Sequence, residues 1–143
     1  MSLDRQVKIA ASSEISNLSP SGYQEGETEI TEEEADGTLS LTDGALVIKY
    51  EVKGEGGSVE TEIILSASQL RVKRCGAVSS DFLFEEGSEH ASLYSVGPYS
   101  FDTAIRTRKI RNRMTESGGR IDVFYDMRIG GADKYVKMKI TAE

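Results

Sequence analysis

Apolar and polar residues alternate with a period of two along most of the chain, which is the pattern of strands that bury one face. The first such run places Val7, Ile9, Ala11 and Ile15 on one face. Later runs repeat the alternation, and their apolar faces carry Leu46, Ile48, Tyr50, Val52; Val59, Ile63, Leu65; Leu70, Val72; Phe82, Phe84; Tyr99, Phe101, Ile105; Ile121, Val123, Tyr125, Met127, Ile129; and Val136, Met138, Ile140. No window predicts a convincing helix, and the best one, residues 12–19, is short.

Glycine-rich segments separate these runs and predict tight turns. They lie at residues 54–57, 86–88, 97–98, 118–119 and 130–131. Residues 46–65 therefore read as a β-hairpin. In the run that begins at Tyr99, the apolar positions change from odd to even numbers at Ile110, which predicts a β-bulge near residues 107–109.

Short turns between about eight to ten strands are typical of an antiparallel meander. A meander with one apolar face must curl or pair to hide it, and closure into a barrel also removes the exposed edge strands. The sequence thus predicts an all-β fold, a single domain over residues 1–143 in which one antiparallel meander closes into a β-barrel. A β-sandwich is the alternative, because periodicity alone does not distinguish the two.

Composition narrows the classes of partner and compartment. The 143 residues carry a net charge of −7, so the mean field disfavours nucleic acid and anionic membranes as partners. No apolar stretch approaches the roughly 18 residues of a membrane span, and residues 1–11 lack the apolar region of a signal peptide. Cys75 is the single cysteine, so no internal disulfide forms. We expect a cytoplasmic protein without membrane contact, metal or cofactor.

Residues in the second half of the chain resemble the YwiB-like family of uncharacterised bacterial proteins. The similarity is carried by residues 70–78, by the run 119–127, and by five separate positions: Phe84, Gly87, Tyr94, Thr107 and Ile110. It covers roughly residues 45 to 142. The resemblance implies a calycin-like β-barrel, similar in architecture to lipocalins and fatty-acid-binding proteins, in a family without an assigned activity.

Arg74 shares its parity with Leu70 and Val72, so the alternation points its guanidinium into the barrel. A charge in a low-dielectric interior needs a partner. That partner is either the carboxylate of an acyl ligand, held by a bidentate pair, or a group of the protein itself, namely backbone carbonyls or a carboxylate such as Asp122 or Asp126. The predicted ligand-binding set joins bulky inward residues to this arginine: Arg74, Tyr50, Phe101, Tyr125 and Met127.

Two segments have strongly one-sided charge. Residues 106–113 hold five bases and no acid, whereas residues 25–36 hold seven carboxylates and no base. The acidic stretch lacks the spacing of an EF-hand, and it reads either as a charged strand or as a mobile loop. We expect the two stripes to face each other, within the sheet or across a homodimer, rather than to bind separate ligands.

No catalytic residue is predicted, and the chain is not expected to be an enzyme. His90 is the only histidine and is expected at the surface, and no serine has a Gly-x-Ser-x-Gly setting. The function that the sequence favours is a non-catalytic barrel that binds a small apolar or amphipathic ligand. The alternative is a barrel filled by its own side chains that works as a structural or protein-interaction module, either as a monomer or as a homodimer.

Overall fold

A computed structural model describes residues 4–19 and 24–143, and ten β-strands account for nearly all of them. Residues 1–3 and 20–23, which the predicted domain includes, lie outside the described residues, as does the side chain of Glu25 in the acidic stretch. The strands are β1 (Arg5–Leu18), β2 (Gln24–Thr42), β3 (Ala45–Gly54), β4 (Gly57–Leu65), β5 (Leu70–Gly76), β6 (Val78–Phe84), β7 (Glu89–Val96), β8 (Tyr99–Thr115), β9 (Gly118–Ile129) and β10 (Ala132–Ala142). No described residues form a helix that could cross a membrane.

Each strand pairs antiparallel with the next, and β1 pairs with both β2 and β10, so the meander closes into a barrel. The closing ladder runs from Ile9 opposite Ala142 to Asn17 opposite Lys134. This ring confirms the predicted antiparallel barrel of about eight to ten strands and excludes the sandwich. The best helical window, residues 12–19, lies almost wholly in β1 instead, because its partners on β2 and β10 take up the backbone hydrogen bonds.

The predicted bulge is confirmed, since the register of β8 against β9 shifts between Thr107 and Lys109. The extra residue reverses the parity of the strand. Thr107 and Met114 are therefore both buried although one number is odd and the other even. Without the shift, one half of β8 would turn its apolar side chains to water.

Glycine permits one close approach that a side chain would block. Gly76 ends β5 with a φ of 122°, and a Cβ there would collide with the Ser58 carbonyl of β4. The positive φ and the missing side chain together let β5 stay hydrogen-bonded to β4 while the chain reverses into β6.

The two charged stripes do not pair in the sheet. The acidic stretch lies in β2, as a strand rather than a loop, and the basic stretch lies in β8. On the shorter way around the barrel, β1, β10 and β9 stand between them. The expectation that the two charged stripes face each other within the sheet is therefore wrong. That the acidic stripe of one copy faces the basic stripe of another in a homodimer stays a prediction.

Candidate functional site

The barrel interior is divided into a filled half and an open half. The filled half lies toward the β2–β3, β4–β5, β6–β7 and β8–β9 turns. It is packed by side chains that are essentially inaccessible to solvent, including Leu39, Ile48, Leu70, Phe84 and Ile121. In an antiparallel meander the other turns gather at the opposite end, and there the inward side chains leave a cavity of about 410 Å³.

Apolar side chains make up most of the cavity wall, and they come from eight strands. The aliphatic and aromatic members include Ile15, Tyr50, Ile63, Val72, Phe82, Tyr94, Tyr125, Met127, Val136, Met138 and Ile140. Five charged residues interrupt this wall: Glu29, Glu32, Glu33, Arg74 and Lys134. A few polar groups in an otherwise apolar concavity are the usual composition of a small-molecule site.

Arg74 and Glu33 meet across the cavity wall. An Nη2 atom of Arg74 lies 3.8 Å from an Oε1 atom of Glu33, and the two side chains are 29% and 31% exposed. The Tyr50 hydroxyl donates a hydrogen bond of 2.7 Å to the same Glu33 oxygen. Glu33 is thereby held by two partners, whereas Arg74 has no other ion pair among the described residues.

Two polar side chains of the barrel interior, one beside Arg74 and one on the opposite wall, have hydroxyls without a hydrogen-bond partner among the described residues. Ser80 lies opposite Arg74 in the β5–β6 ladder, and its buried Oγ atom has no hydrogen-bond partner among the described residues. Tyr125 is buried on the far wall, and no hydrogen bond joins its hydroxyl to the described part of the chain. Buried polar groups are nearly always hydrogen-bonded, so both hydroxyls are bonding capacity that the described residues do not use, and the Tyr125 side chain is the one that lines the cavity.

The β6–β7 seam beside the cavity is closed by side chains more than by the backbone. The two strands pair only at Val78–Val96 and Ser79–Ser95 and then diverge. Phe82 and Tyr94, which both line the cavity, stack across the seam with ring centroids 6.2 Å apart. This is the part of the barrel wall that depends least on ladder hydrogen bonds.

Burial changes the acidity of two cavity tyrosines. Burial and the hydrogen bond to Glu33 raise the pKa of Tyr50 to about 12. Burial likewise raises the pKa of Tyr125 to about 12, against a smaller opposite effect of the Arg74 charge. Both hydroxyls are therefore neutral hydrogen-bond donors at neutral pH.

The raised tyrosine pKa values predict a loss of stability at alkaline pH. The unfolded chain releases these protons near pH 10, whereas the folded chain holds them to about pH 12. Their contribution is complete below pH 10 and is lost as the pH rises toward 12, by about 2–3 kcal/mol for each tyrosine at about 1.4 kcal/mol per unit. Urea unfolding between pH 9 and 11.5 measures this slope. Tyr125→Phe should remove about half of it and leave the part due to Tyr50, and Tyr99→Phe, at a position that is 68% exposed, should leave it unchanged.

The structure brings four of the five predicted site residues together. Arg74, Tyr50, Tyr125 and Met127 all line the cavity. Phe101 does not, because it lies two residues from the start of β8, where the hairpin reaches beyond the packed interior, and it is 39% exposed. The prediction that Phe101 belongs to the site is therefore wrong. Alternation could not reveal this, because parity tells whether a side chain points into the barrel but not where it lies along the barrel axis.

Two other expectations are also corrected. Asp122 and Asp126 are not partners of Arg74, because both lie on the outer face and bind Arg120 and Arg108. His90 is not a plain surface residue: it lies opposite Ile105 and its Nε2 atom is buried without a hydrogen-bond partner among the residues described.

Glu33 is the site residue that the sequence reasoning missed. It is one of seven acidic residues in the segment 25–36, for which the sequence predicts a charged strand or a loop. Its parity with Leu39, which is 1% exposed, would have marked it as inward. The signal was present but depended on extending one strand from Leu39 back to Glu29 without a turn.

Comparisons with known proteins agree with this architecture. A family model described as a domain of unknown function, DUF1934, matches residues 17–141. The uncharacterized beta-barrel protein YwiB of Bacillus subtilis (strain 168) is 26% identical over 120 residues, which cover 83% of this chain and 84% of that protein. The crystal structure of the ywiB protein from Bacillus subtilis superposes with a TM-score of 0.84 at 24% identity, over 98% of this chain and 92% of that one. The resemblance inferred from the sequence is thus confirmed, and the chain belongs to the DUF1934 family, a domain family of unknown function.

Proposed function

We propose that the barrel is a non-catalytic binding protein for a small amphipathic carboxylate, whose head group binds beside Arg74 and whose apolar chain fills the cavity. The observation that carries this proposal is the cavity of about 410 Å³ with an apolar wall and one incompletely paired arginine. A barrel filled by its own side chains would leave no such space.

The cavity volume limits the size of the ligand. At about 30 Å³ for a water-sized group, the space holds roughly a dozen non-hydrogen atoms. Medium-chain fatty acids such as octanoate and decanoate have this size. Larger molecules would have to extend past the turns at the open end.

The head group is assigned from the donors that the wall offers. A guanidinium has five N–H donors in a fixed fork that matches a carboxylate, and Glu33 approaches only one edge of it at 3.8 Å. Tyr125 adds a neutral hydroxyl on the facing wall, close enough for the Arg74 charge to affect its pKa. A carboxylate bound here gains a charged donor and a neutral one in a mostly apolar environment.

Native mass spectrometry of gently purified protein, with and without added octanoate, decanoate or dodecanoate, tests the proposal. We expect a one-to-one complex that denaturation releases, and at least tenfold weaker binding by Arg74→Gln. Arg71→Gln is the matched control, because Arg71 is on the same strand but faces outward and binds Asp81. A spectrum that shows only the bare chain with all three acids contradicts the proposal and favours the barrel that works through its surface.

We also propose that the protein is cytoplasmic. Support comes from Cys75, which is free and exposed on β5 and is the only cysteine in the chain. An exposed single thiol is stable in a reducing compartment and prone to oxidation elsewhere.

A further inference from the structure

The outer surface of the barrel carries a concentration of positive charge that the sequence shows only in part. The five bases of residues 106–113 in β8 are joined by Arg120 and Arg128 on β9 and by Lys137 and Lys139 on β10. Register places these strands side by side, with Lys109, Phe124 and Lys137 in one row and Arg111, Asp122 and Lys139 in the next. A chain of net charge −7 therefore has a locally basic side.

Ion pairs within the protein neutralise only part of this charge. Asp126 binds Arg108, Asp122 binds Arg120 and Asp133 binds Arg128. The bases left exposed and without an ion pair in the described part of the chain include Lys109, Arg111 and Arg113 on β8 and Lys137 and Lys139 on β10. We refer to these five residues as the basic face. Glu86, which reaches the edge of β8, accepts a hydrogen bond from the Ile110 backbone rather than from any of them.

The geometry of the basic face suits a chain of repeated anions. Successive outward residues of one strand are about 6.8 Å apart, and β8 and β10 are about 9.6 Å apart with β9 between them. The cations of β8 and those of β10 thus form two parallel lines, one on each side of the outward side chains of β9. Between the rows, the Arg111 guanidinium lies over the Phe124 ring, 5.6 Å from its centroid.

We propose that the basic face binds single-stranded nucleic acid through its phosphates, with a base stacking on the Arg111–Phe124 pair. Exposed cations bind isolated carboxylates weakly, but a polyphosphate releases condensed counterions and so gains affinity from each contact. An arginine layered on an aromatic ring offers a flat surface to an unpaired base, which a duplex keeps stacked inside.

A protein partner fits this surface less well. Protein interfaces need an apolar centre, and none of the large apolar side chains that are exposed in residues 4–19 and 24–143 lies on the basic face; they are Ile30, Leu41, Leu93, Val96, Tyr99 and Phe101. The negative mean charge, which made nucleic acid an unexpected partner, arises elsewhere on the barrel, on β2 among other strands.

Fluorescence anisotropy with labelled 12-nucleotide oligo(U) and oligo(dT), a 12-base-pair duplex and polyglutamate tests the proposal between 50 and 200 mM salt. Five phosphate contacts predict a slope of about −3.5 for log K against log salt, and hence roughly a hundredfold loss over this range. We expect duplex and polyglutamate to bind at least tenfold more weakly than the single strands. A difference between oligo(U) and oligo(dT) would show whether RNA or DNA is the natural form.

Paired variants connect the binding to the face. Lys137→Gln with Lys139→Gln should weaken binding at least tenfold at 50 mM salt and reduce the slope by about 1.4, at about 0.7 per contact. Lys49→Gln with Lys53→Gln is the matched control on the outward face of β3 and should change neither. Arg111→Lys keeps the charge but loses the planar stack, so affinity should fall severalfold at an unchanged slope. No binding at 50 mM salt, equal binding of polyglutamate, or equal effects of the two lysine pairs would overturn the proposal.

Discussion

Phe84→Ala is expected to lower the free energy of unfolding by about 3–5 kcal/mol, the usual cost of emptying a buried aromatic position. Phe84 is 1% exposed and is among the largest of the fully buried side chains. Its ring makes edge-on contacts with Tyr125, at 4.8 Å between centroids, and with Phe82, at 6.5 Å. It therefore lies at the boundary between the filled half of the barrel and the cavity, and its loss would join a new void to the existing one.

Urea unfolding followed by circular dichroism measures this effect, and Phe124→Ala is the control. Phe124 is only half buried, on the outer face of β9, where Arg111 covers it. We expect its truncation to cost about 1 kcal/mol or less, in the range of surface substitutions. Equal costs for the two variants would mean that the interior around Phe84 is already loosely packed, and that the division into a filled and an open half does not hold.

The fold was largely predictable because alternation and glycine turns are local signals. Each strand buries one face, so the parity of its apolar residues records which way it faces, and the reversal at Ile110 recorded the bulge between Thr107 and Lys109. Closure was inferred only from the need to hide edges. The pairing of Ile9 with Ala142 joins residues at opposite ends of the chain, and no pattern within either strand specifies it.

The site was predictable in direction but not in position. Parity correctly turned Arg74, Tyr50, Tyr125 and Met127 inward, since all four line one cavity. It could not locate Phe101 above the packed interior, because height depends on the stagger of the whole barrel. It also could not identify the partner of Arg74. Glu33 lies on β2, three strands away from β5, and only the curvature of the closed wall brings the two together.

Removing the charge of Glu33, the ion-pair partner of Arg74, is expected to increase the affinity of the cavity for a carboxylate ligand. If a ligand carboxylate binds Arg74, it must compete with Glu33, which already occupies one edge of the guanidinium at 3.8 Å. Glu33→Gln removes the competing charge, keeps the shape of the side chain and retains an oxygen that can accept the Tyr50 hydroxyl. We expect the affinity for decanoate to rise about tenfold, equivalent to about 1.4 kcal/mol, as measured by isothermal titration calorimetry.

The matched control is Glu34→Gln, which removes the same charge from the neighbouring, exposed position of β2, outside the cavity wall. It should leave the affinity within a factor of two. Decanol, which has the same chain without the charge, provides a second comparison. Its binding should respond little to either variant, because a neutral hydroxyl is not repelled by Glu33.

A double-mutant cycle separates competition from a general change in the cavity. If Glu33 acts only by neutralising Arg74, then Glu33→Gln should have no effect on decanoate binding once Arg74→Gln is present, and the coupling between the two positions should equal the whole gain of the single variant. Additive effects would show that Glu33 repels the ligand directly and that the carboxylate lies elsewhere, with Lys134 as the remaining cation of the cavity wall. The coupling energy therefore shows whether the carboxylate lies beside Arg74. The loss of binding in Arg74→Gln alone does not show this, because that substitution also changes the packing of the cavity wall.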